Sequence, residues 1–337
     1  MSFGHDRPVE PADRALSTVV ARFILFFLTI SMQIAYLILA HADPLHLQRL
    51  TAKLSIEGAV IFIHVDKKSD LKKFQHIQEP RIIFINARVP VYWGDFSQVQ
   101  AILNLLDAAL TSKFDIQRLV LLSGVDYPIV PMDDIVALFA THSATEFMNA
   151  VQMPADTAGK PISRMNNFVV RPGTFRIARK LKRACQRLGL IPKHRDHAAY
   201  LKDLVPFGGS TWWAITRDAG EYVRQFVHTR ADIVTFFKNV ECPDEAFFQT
   251  VLMNSPYAEN VSRNLTYTDW RAGGSSPSLI SDIHIPMLSA GVKFGSDDTY
   301  GAGQALFARK FKDGQEQLLD TIDNIGHPRD NPPGDVV

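Results

Sequence analysis

Apolar runs alternate with amphipathic segments from residue 33 onward. Residues 33–40 and 59–65 are continuous apolar runs with the length of buried strands, and residues 45–55 between them place Leu47, Leu50 and Leu54 at helical spacing. A strand, a helix and a second strand in this order predict a βαβ unit and therefore a parallel sheet. The same patterns predict strands at 81–86, 118–123, 144–148 and 207–216, and helices at 96–110, 132–141, 218–227 and 240–252.

The alternation of strands and helices stops over residues 154–204, for which we predict a basic helical insert. Its cations from residue 171 onward are Arg171, Arg176, Arg179, Lys180, Lys182, Arg183, Arg187, Lys193 and Arg195. A solvated helical face explains such a stripe, and so does a surface that recognises an anionic acceptor or membrane. Residues 267–277 and 305–311 show no periodicity and are expected to be irregular, and residues 330–337 form a Pro/Gly-rich tail.

The N-terminal part admits two interpretations. Residues 1–18 are polar, while residues 19–40 have the apolar length of a membrane span. If residues 33–40 are a strand, however, the remaining apolar stretch is too short to span, which favours an extension over residues 1–31. Met32 stands directly before that strand, so the first 31 residues are expected to be a dispensable extension or a misassigned start, with a membrane anchor as the alternative.

Composition excludes several classes of protein. The 36 Lys and Arg residues nearly balance the 35 Asp and Glu residues, which argues against general nucleic-acid binding. The two cysteines, Cys185 and Cys242, fit a reduced compartment and form neither a disulfide framework nor a zinc site. The motifs GxGxxG, GxxxxGK[ST], GxSxG and HExxH are absent from the expected positions, so dehydrogenase, P-loop, hydrolase and zinc-peptidase chemistry are disfavoured.

Two adjacent acids, Asp244 and Glu245, follow Cys242 and Pro243 at the start of the predicted helix 240–252. Acidic residues in a first helical turn are stabilised by the helix dipole, and that alone explains the pair. The alternative is that one carboxylate caps the helix while the other faces a cleft as a general base.

Seven ordered blocks of sequence resemble the core-2/I-branching β-1,6-N-acetylglucosaminyltransferase and peptide O-xylosyltransferase family. They are HADP (41–44), IHVDKKSD (63–70), VYWGDFSQVQAILNLL (91–106), LLSGVDYPI (121–129), GGSTWWAITRDAGEYV (208–223), CPDEAFFQTVLMNSP (242–256) and ALFARKF (305–311). The resemblance covers residues 33–311 and is closer to the xylosyltransferase branch. It implies a GT-A-like (Rossmann-type) α/β fold, a UDP-sugar donor, inversion at the anomeric carbon, and no cofactor or divalent metal.

The resemblance also implies roles for the charged residues. Glu245 matches the catalytic base, which takes the proton of the acceptor hydroxyl, and Asp244 is then an N-cap or an acceptor contact. Arg309 and Lys310 match the basic pair that stabilises the leaving diphosphate in place of a metal ion. Arg271 is a weaker candidate for the same role.

Other predicted contacts follow from the same blocks. Asp66 matches an aspartate near the uridine, and Trp93 and Gly94 match a loop that borders the donor sugar. Asp126 stands where metal-dependent enzymes carry a DxD motif, but a single acid holds Mg²⁺ or Mn²⁺ poorly, so we predict that it contacts the donor or orders its loop. The predicted acceptor contacts, with burial in the core as the alternative for both tryptophans, are Thr211, Trp212 and Trp213.

Two departures limit how far the resemblance transfers. Thr211 replaces an acid that the xylosyltransferase branch has after the GGS turn, which puts a peptide acceptor in doubt. Secreted relatives are also rich in cysteine, whereas this chain has two cysteines. We therefore expect a cytoplasmic enzyme at the inner face of the membrane that acts on a glycan or glycolipid. Membrane contact is expected through residues 171–195 or the N-terminal extension. The predicted layout is an extension (1–31), a GT-A-like domain (32–315) with the insert 154–204, and a tail (316–337).

Two rival functions remain open at this point. One is a metal-dependent transferase that uses Asp126, which chelation would inactivate. The other is a catalytically inactive glycan-binding or membrane-surface scaffold with the same fold, in which Glu245→Gln would leave function intact.

Overall fold

A seven-stranded sheet forms the centre of the protein. The computed structural model describes residues 32–169, 176–190, 192–271, 273–274 and 276–325. In spatial order the strands are β3 (Ile82–Phe84), β2 (Ala59–Val65), β1 (Ile34–Ala40), β4 (Arg118–Ser123), β7 (Phe207–Thr216), β6 (Glu146–Gln152) and β8 (Val261–Ser262). The predicted positions of β1, β2, β4 and β7 are confirmed within one residue, while β6 begins and ends later than the predicted 144–148.

The sheet is mostly parallel. Strands β1 to β4 run parallel to one another, β7 is antiparallel to both β4 and β6, and β6 is parallel to β8. Every residue of β2 is buried, and only Leu39 in β1 is partly exposed, because helices cover both faces. That is why these strands are continuous apolar runs in sequence. The predicted α/β class with a mostly parallel sheet is confirmed.

Eleven α-helices lie within the described residues. They are α1 (Pro44–Leu54), α2 (Phe96–Leu110), α3 (Met132–Thr141), α4 (Ser163–Asn166), α5 (Arg176–Arg187), α6 (His197–Leu201), α7 (Arg217–Thr229), α8 (Ala231–Phe237), α9 (Phe247–Met253), α10 (Ile285–Ser289) and α11 (Glu316–Asp323). Short 3₁₀ turns occur at Leu71–Phe74, Asp156–Ala158, Pro243–Glu245, Ala258–Asn260 and Asp282–His284.

Two apolar clusters sandwich the sheet. One joins the sheet to α1, α3 and α11, and the other joins it to α2, α7, α8 and α9. Asp323 at the end of α11 ties that helix to α1: its carboxylate lies 2.7 Å from both Arg49 Nη2 and Lys53 Nζ, and it accepts a 2.9 Å hydrogen bond from the Tyr127 hydroxyl. The C-terminal helix is therefore part of the packed α/β unit.

Segments expected to be irregular form a second sheet. Its order is β5 (Asp126–Pro128), β12 (Phe307–Arg309) and β9 (Thr266–Thr268), and β10 (Lys293–Phe294) pairs with β11 (Gly303–Gln304) nearby. The prediction of irregular structure at 267–277 and 305–311 was wrong for β9 and β12. Strands of three residues are too short to show a periodicity of two, and they form here because β12 pairs with a strand on each side.

A glycine fixes the junction of β6 and β7. A β-carbon on Gly209 would lie 1.7 Å from the carbonyl oxygen of Asn149, at the point where the register of the two strands shifts. Only glycine permits this approach of the two backbones. The constraint sets the path of β7 immediately before the residues that reach the site.

The interpretation of the N-terminal part rests on β1. Residues 34–40 form this strand, as predicted, whereas residues 1–31 lie outside the described part of the chain. Within the described ranges, none of the helices has both the length and the apolar character needed to cross a membrane. The predicted tail likewise falls mostly outside the described residues, since these end at residue 325 within it.

Candidate active site

The acid pair lies in a 3₁₀ turn ahead of an α-helix. The prediction of one helix over 240–252 was wrong, because Pro243–Glu245 form a separate turn and α9 begins at Phe247. Ala246 is the N-cap of α9 and makes no side-chain cap, so the prediction of Asp244 as the helix N-cap was also wrong. Both carboxylates instead bond side chains from other elements, which leaves neither of them free to cap α9.

Asp244 is buried and held by two donors. It is 8% exposed, and its Oδ2 accepts hydrogen bonds from Thr211 Oγ1 at 2.7 Å and from Gln98 Nε2 at 3.1 Å. Burial raises the pKa of the Asp244 carboxyl to about 6, and the neighbouring Glu245 charge acts in the same direction. The Thr211 hydroxyl, predicted to contact the acceptor, therefore donates to this aspartate.

Glu245 is more open and is paired with two cations. Its side chain is 31% exposed, and Oε2 accepts hydrogen bonds from Lys160 Nζ at 2.5 Å and from Arg164 Nη1 at 2.7 Å. Burial raises the pKa of the carboxyl, but the charge and hydrogen bond of Lys160, together with those of Arg164, outweigh burial and lower it. Glu245 is therefore an ionised carboxylate at neutral pH.

The aliphatic part of the Lys160 side chain passes over Gly208 to reach Glu245. A β-carbon on Gly208 would lie 3.1 to 3.2 Å from carbons of the Lys160 side chain, so the side chain packs directly over the backbone of β7. Lys160 is itself 8% exposed. Gly208, the first glycine of the GGS sequence in β7, thus makes room for a cation that touches the candidate base.

Arg309 and Asp126 lie opposite each other on neighbouring strands of the second sheet. They are paired residues of β12 and β5, and Arg309 Nε lies 3.1 Å from Asp126 Oδ1. The guanidinium also stacks on the Trp212 ring, with its central carbon 4.1 Å from the ring centroid. Burial raises the pKa of Asp126 to about 6, against the opposing charge of Arg309 and the Ser123 N–H donated to Oδ2.

Lys310 continues the cationic side of the site. Its ammonium donates a 2.6 Å hydrogen bond to Ser276 Oγ, and burial together with the neighbouring Arg309 charge lowers its pKa. Arg271 is on the loop that precedes Ser276, but its guanidinium binds the carboxylate of Asp269 at 2.9 and 3.1 Å. Arg271 is therefore already paired with a carboxylate, whereas the Lys310 ammonium donates to a neutral hydroxyl.

Of the remaining predicted donor contacts, Asp66 directly follows β2, and Trp93 and Gly94 lie on the loop before α2. The Asp66 carboxylate accepts the Lys68 N–H at 2.8 Å and the Val91 N–H at 3.3 Å, which fixes this loop against the end of β2. Trp93 is 73% exposed, and the carbonyl of Gly94 accepts the Cys242 N–H at 3.2 Å. The loop is thereby joined to the turn that carries the acid pair.

The two predicted tryptophans differ in position. Trp213 is 2% exposed and packs against Phe248 with a centroid separation of 5.6 Å, so the prediction of Trp213 as an acceptor platform was wrong. Trp212 is 8% exposed and lies under Arg309. Consecutive side chains of a strand face opposite sides, which explains the difference between the two.

Strand β7 links the two charged groups. Thr211 bonds Asp244 beside the candidate base, and the next residue, Trp212, stacks on Arg309 of the cationic side. Gln98, Lys160 and Arg164 were not predicted as parts of this arrangement. A signal for the two cations existed, because residues 157–195 contain eleven Lys and Arg residues and no acid.

Tyr300 was also missed. Burial raises the pKa of the Tyr300 hydroxyl, and the negative charge of Glu245 acts in the same direction. The loop that carries Tyr300 is anchored by Arg263, which pairs with Asp298 and stacks 3.4 Å above the Phe294 ring. Irregular loop residues carry no periodic signal, so nothing in the sequence pointed to Tyr300.

In the described part of the chain, no group of three or more His, Cys, Asp or Glu side chains is arranged to hold a metal ion. Asp126, the acid nearest in position to a DxD motif, is paired with Arg309. Arg309 and Lys310 are the cations beside it.

Comparison with known proteins assigns the chain to a family. Residues 34–288 match the family model described as Core-2/I-Branching enzyme. The chain is 29% identical over 251 residues to Xylosyltransferase 2 of Rattus norvegicus, an alignment that covers 71% of this chain and 27% of that protein. It is 28% identical over 253 residues to Xylosyltransferase 1 of Homo sapiens, covering 71% of this chain and 24% of that protein.

These proportions mean that the chain matches about a quarter of the length of the curated relatives. A solved structure described as a mycobacterial protein aligns over 84% of this chain and 86% of its own, at 15% identity and a TM-score of 0.33. That likeness is too low to carry an argument about the fold or the site.

Proposed function

The chain belongs to the Core-2/I-branching enzyme family, and we propose that it is an inverting, metal-independent glycosyltransferase. It transfers xylose or N-acetylglucosamine from a UDP-sugar to a hydroxyl of a glycan, glycolipid or peptide. The observation that carries this proposal is that consecutive residues of β7 contact both charged groups: Thr211 bonds Asp244, the neighbour of the ionised Glu245, and Trp212 stacks on Arg309. Single displacement of UDP by a hydroxyl needs both groups.

Glu245 is the proposed general base. Lys160 and Arg164 lower the pKa of its carboxyl, so at neutral pH it is the ionised form, which is the form that can take up a proton. The hydrogen bonds from Lys160 and Arg164 both fall on Oε2, and we assign the acceptor proton to Oε1. As the acceptor oxygen loses its proton it attacks the anomeric carbon, and the bond from that carbon to the UDP oxygen breaks on the opposite face.

Arg309 and Lys310 are the proposed partners of the leaving diphosphate. Negative charge grows on the phosphate oxygens as the bond to the sugar breaks, and fixed cations stabilise that charge. The stacking of Arg309 on Trp212 and its pairing with Asp126 hold the guanidinium in one orientation before UDP arrives. Asp126 thus acts by ordering a cation, and Asp66 and Trp93 border the uridine and the sugar.

The two relatives compared above favour xylose over N-acetylglucosamine as the donor sugar, because both are named xylosyltransferases. The acceptor is less constrained. Thr211 is committed to Asp244 by a 2.7 Å hydrogen bond, in place of the acid found in the xylosyltransferase branch. A glycan or glycolipid acceptor is therefore favoured over a peptide.

The test is a UDP-release assay across UDP-xylose, UDP-N-acetylglucosamine, UDP-glucose and UDP-glucuronate, with EDTA present throughout. Glu245→Gln keeps the size of the side chain and should reduce turnover by about 10²-fold or more. Glu241→Gln is the matched control, since Glu241 is an exposed acid in the same segment. Full activity of Glu245→Gln would refute the assignment of the base, and loss of wild-type activity in EDTA would refute metal independence.

The scaffold alternative has a distinct outcome in this assay. A catalytically inactive glycan-binding protein would release no UDP from any donor with any acceptor, while still binding glycans. Asp244→Asn tests whether the buried aspartate is the base instead. If it were, this substitution would abolish turnover and Glu245→Gln would not.

A further inference from the structure

Helix α5 leaves an apolar face uncovered. Leu181 is 65% exposed, Leu188 is 74% exposed, and Ala184 between them is also exposed. These residues lie at positions i, i+3 and i+7, so they share one side of the helix. Leu190, just beyond the helix, is 72% exposed as well. An apolar helix face normally packs on a core, and in the described structure this one does not.

Cations surround this face. Lys180 and Arg187 are exposed on other sides of α5, and Lys193 is exposed shortly after it. The whole stretch 157–195 has eleven Lys and Arg residues and no Asp or Glu. The formal charge of the protein is only +1, so positive charge is concentrated on this one segment. The result is a surface that attracts anions and also exposes leucines.

The segment is attached to the body of the protein beyond the helix. Gln186 Nε2 donates to the carbonyl of Pro192 at 3.2 Å, and the Leu190 N–H donates to the Cys185 carbonyl at 2.8 Å, which closes the helix end. Arg195 then stacks on Phe236 of α8, with its central carbon 3.9 Å from the ring centroid. The helix is therefore held at its C-terminal end while its leucines face outward.

We propose that α5 docks the protein on an anionic lipid surface, with Leu181, Leu188 and Leu190 inserted between head groups. A helix with leucines on one side and cations on the other lies in the plane of a membrane interface. Its Lys and Arg residues gain from the negative surface potential. An acidic protein is the other class of partner, but protein interfaces are anchored mostly by aromatic residues, and the exposed face of α5 has leucine and alanine instead.

The test is co-sedimentation of the full chain with vesicles of phosphatidylcholine, alone or mixed with phosphatidylserine, at about 0.1 M and about 1 M salt. Binding should require phosphatidylserine and weaken at high salt. Leu181→Ser with Leu188→Ser should lower vesicle binding by at least about tenfold, because each leucine that leaves water contributes about a factor of ten or more. Lys180→Gln with Arg187→Gln should lower it by a similar factor at low salt only.

Ile283→Ser is the matched control, because Ile283 is 75% exposed but lies far from α5 in sequence. Residues 1–31 are present in every variant, so any contribution they make is common to all. Vesicle binding that is independent of phosphatidylserine, or that the leucine substitutions leave unchanged, would overturn the proposal. Binding to polyglutamate without binding to vesicles would overturn it in favour of an acidic protein partner.

Catalysis provides a separate measurement. UDP release in the absence of vesicles should be the same for wild type and for the Leu181→Ser, Leu188→Ser variant, since neither leucine contacts the candidate site. Thermal unfolding followed by circular dichroism should also be unchanged, because exposed leucines contribute little to stability. Failure of membrane docking and failure of the proposed transferase activity are thereby distinguishable.

Discussion

Replacing Lys160 by methionine should move the pH dependence of turnover. Lys160 Nζ lies 2.5 Å from Glu245 Oε2, and a positive charge at such a distance commonly lowers a carboxyl pKa by about one to three units. Glu245 is 31% exposed and keeps Arg164 as a partner, so solvent screening and the remaining cation limit the change. We expect the pKa of Glu245 to rise by about one unit, which corresponds to about 1.4 kcal/mol.

The assay is kcat/KM for UDP release as a function of pH, where the acidic limb reports the base in the free enzyme. In Lys160→Met that limb should shift toward higher pH by about one unit, because removing the cation makes the carboxylate easier to protonate. Lys202→Met is the control, since Lys202 pairs with Asp232 at 3.4 Å and its side chain is 65% exposed. An unchanged acidic limb in Lys160→Met, or an equal shift in the control, would refute the reasoning.

The remaining predictions concern the diphosphate site and the fold. Arg309→Met should reduce kcat, measured by steady-state kinetics, by about 10²-fold or more. Arg309→Lys should retain part of that activity, because a lysine keeps the charge but cannot make bidentate contacts to phosphate. Gly209→Ala should lower the free energy of unfolding in urea by more than about 3 kcal/mol, since the added β-carbon would overlap Asn149. Gly301→Ala, where the β-carbon would have nothing within 4 Å, should lower it by about 1 kcal/mol. Equal losses in the two variants would contradict the close approach at Gly209. Asp323→Asn should destabilise the protein by about 1 to 2 kcal/mol at pH 7. Burial raises the Asp323 pKa, but Lys53 and the other partners lower it more, so this stability is present above the unfolded pKa of about 4 and is lost as pH falls below it. An identical loss for Asp323→Asn at pH 3 and pH 7 would contradict that account.

The long elements were predictable because their patterns reflect their surroundings. Residues 59–65 and 118–123 are buried on both faces and are apolar throughout or nearly so, and residues 96–110 repeat apolar positions at helical spacing. Each was predicted with the bounds that the structure has. The short strands β9 and β12 were missed, since three residues cannot display a period.

The acid pair shows a different limit of prediction. The sequence correctly located carboxylates at the start of an amphipathic segment, but it could not separate the 3₁₀ turn from α9. The difference arises because Asp244 bonds Thr211 and Gln98 while Glu245 bonds Lys160, and these partners are distant in sequence. Local propensity favours a first helical turn, and long-range hydrogen bonds replaced it with another conformation.

The sequence by itself determined the α/β class, the order of the long strands and helices, the ordered motifs of the family, and the concentration of positive charge in residues 157–195. Those properties depend on neighbours along the chain, or on residue types alone. Only the tertiary structure decided that Thr211 and Trp212 connect Asp244 to Arg309, that Trp213 is buried, and that the leucines of α5 are uncovered. Contacts between residues far apart in sequence depend on how the elements pack, and no local pattern of residues encodes that packing.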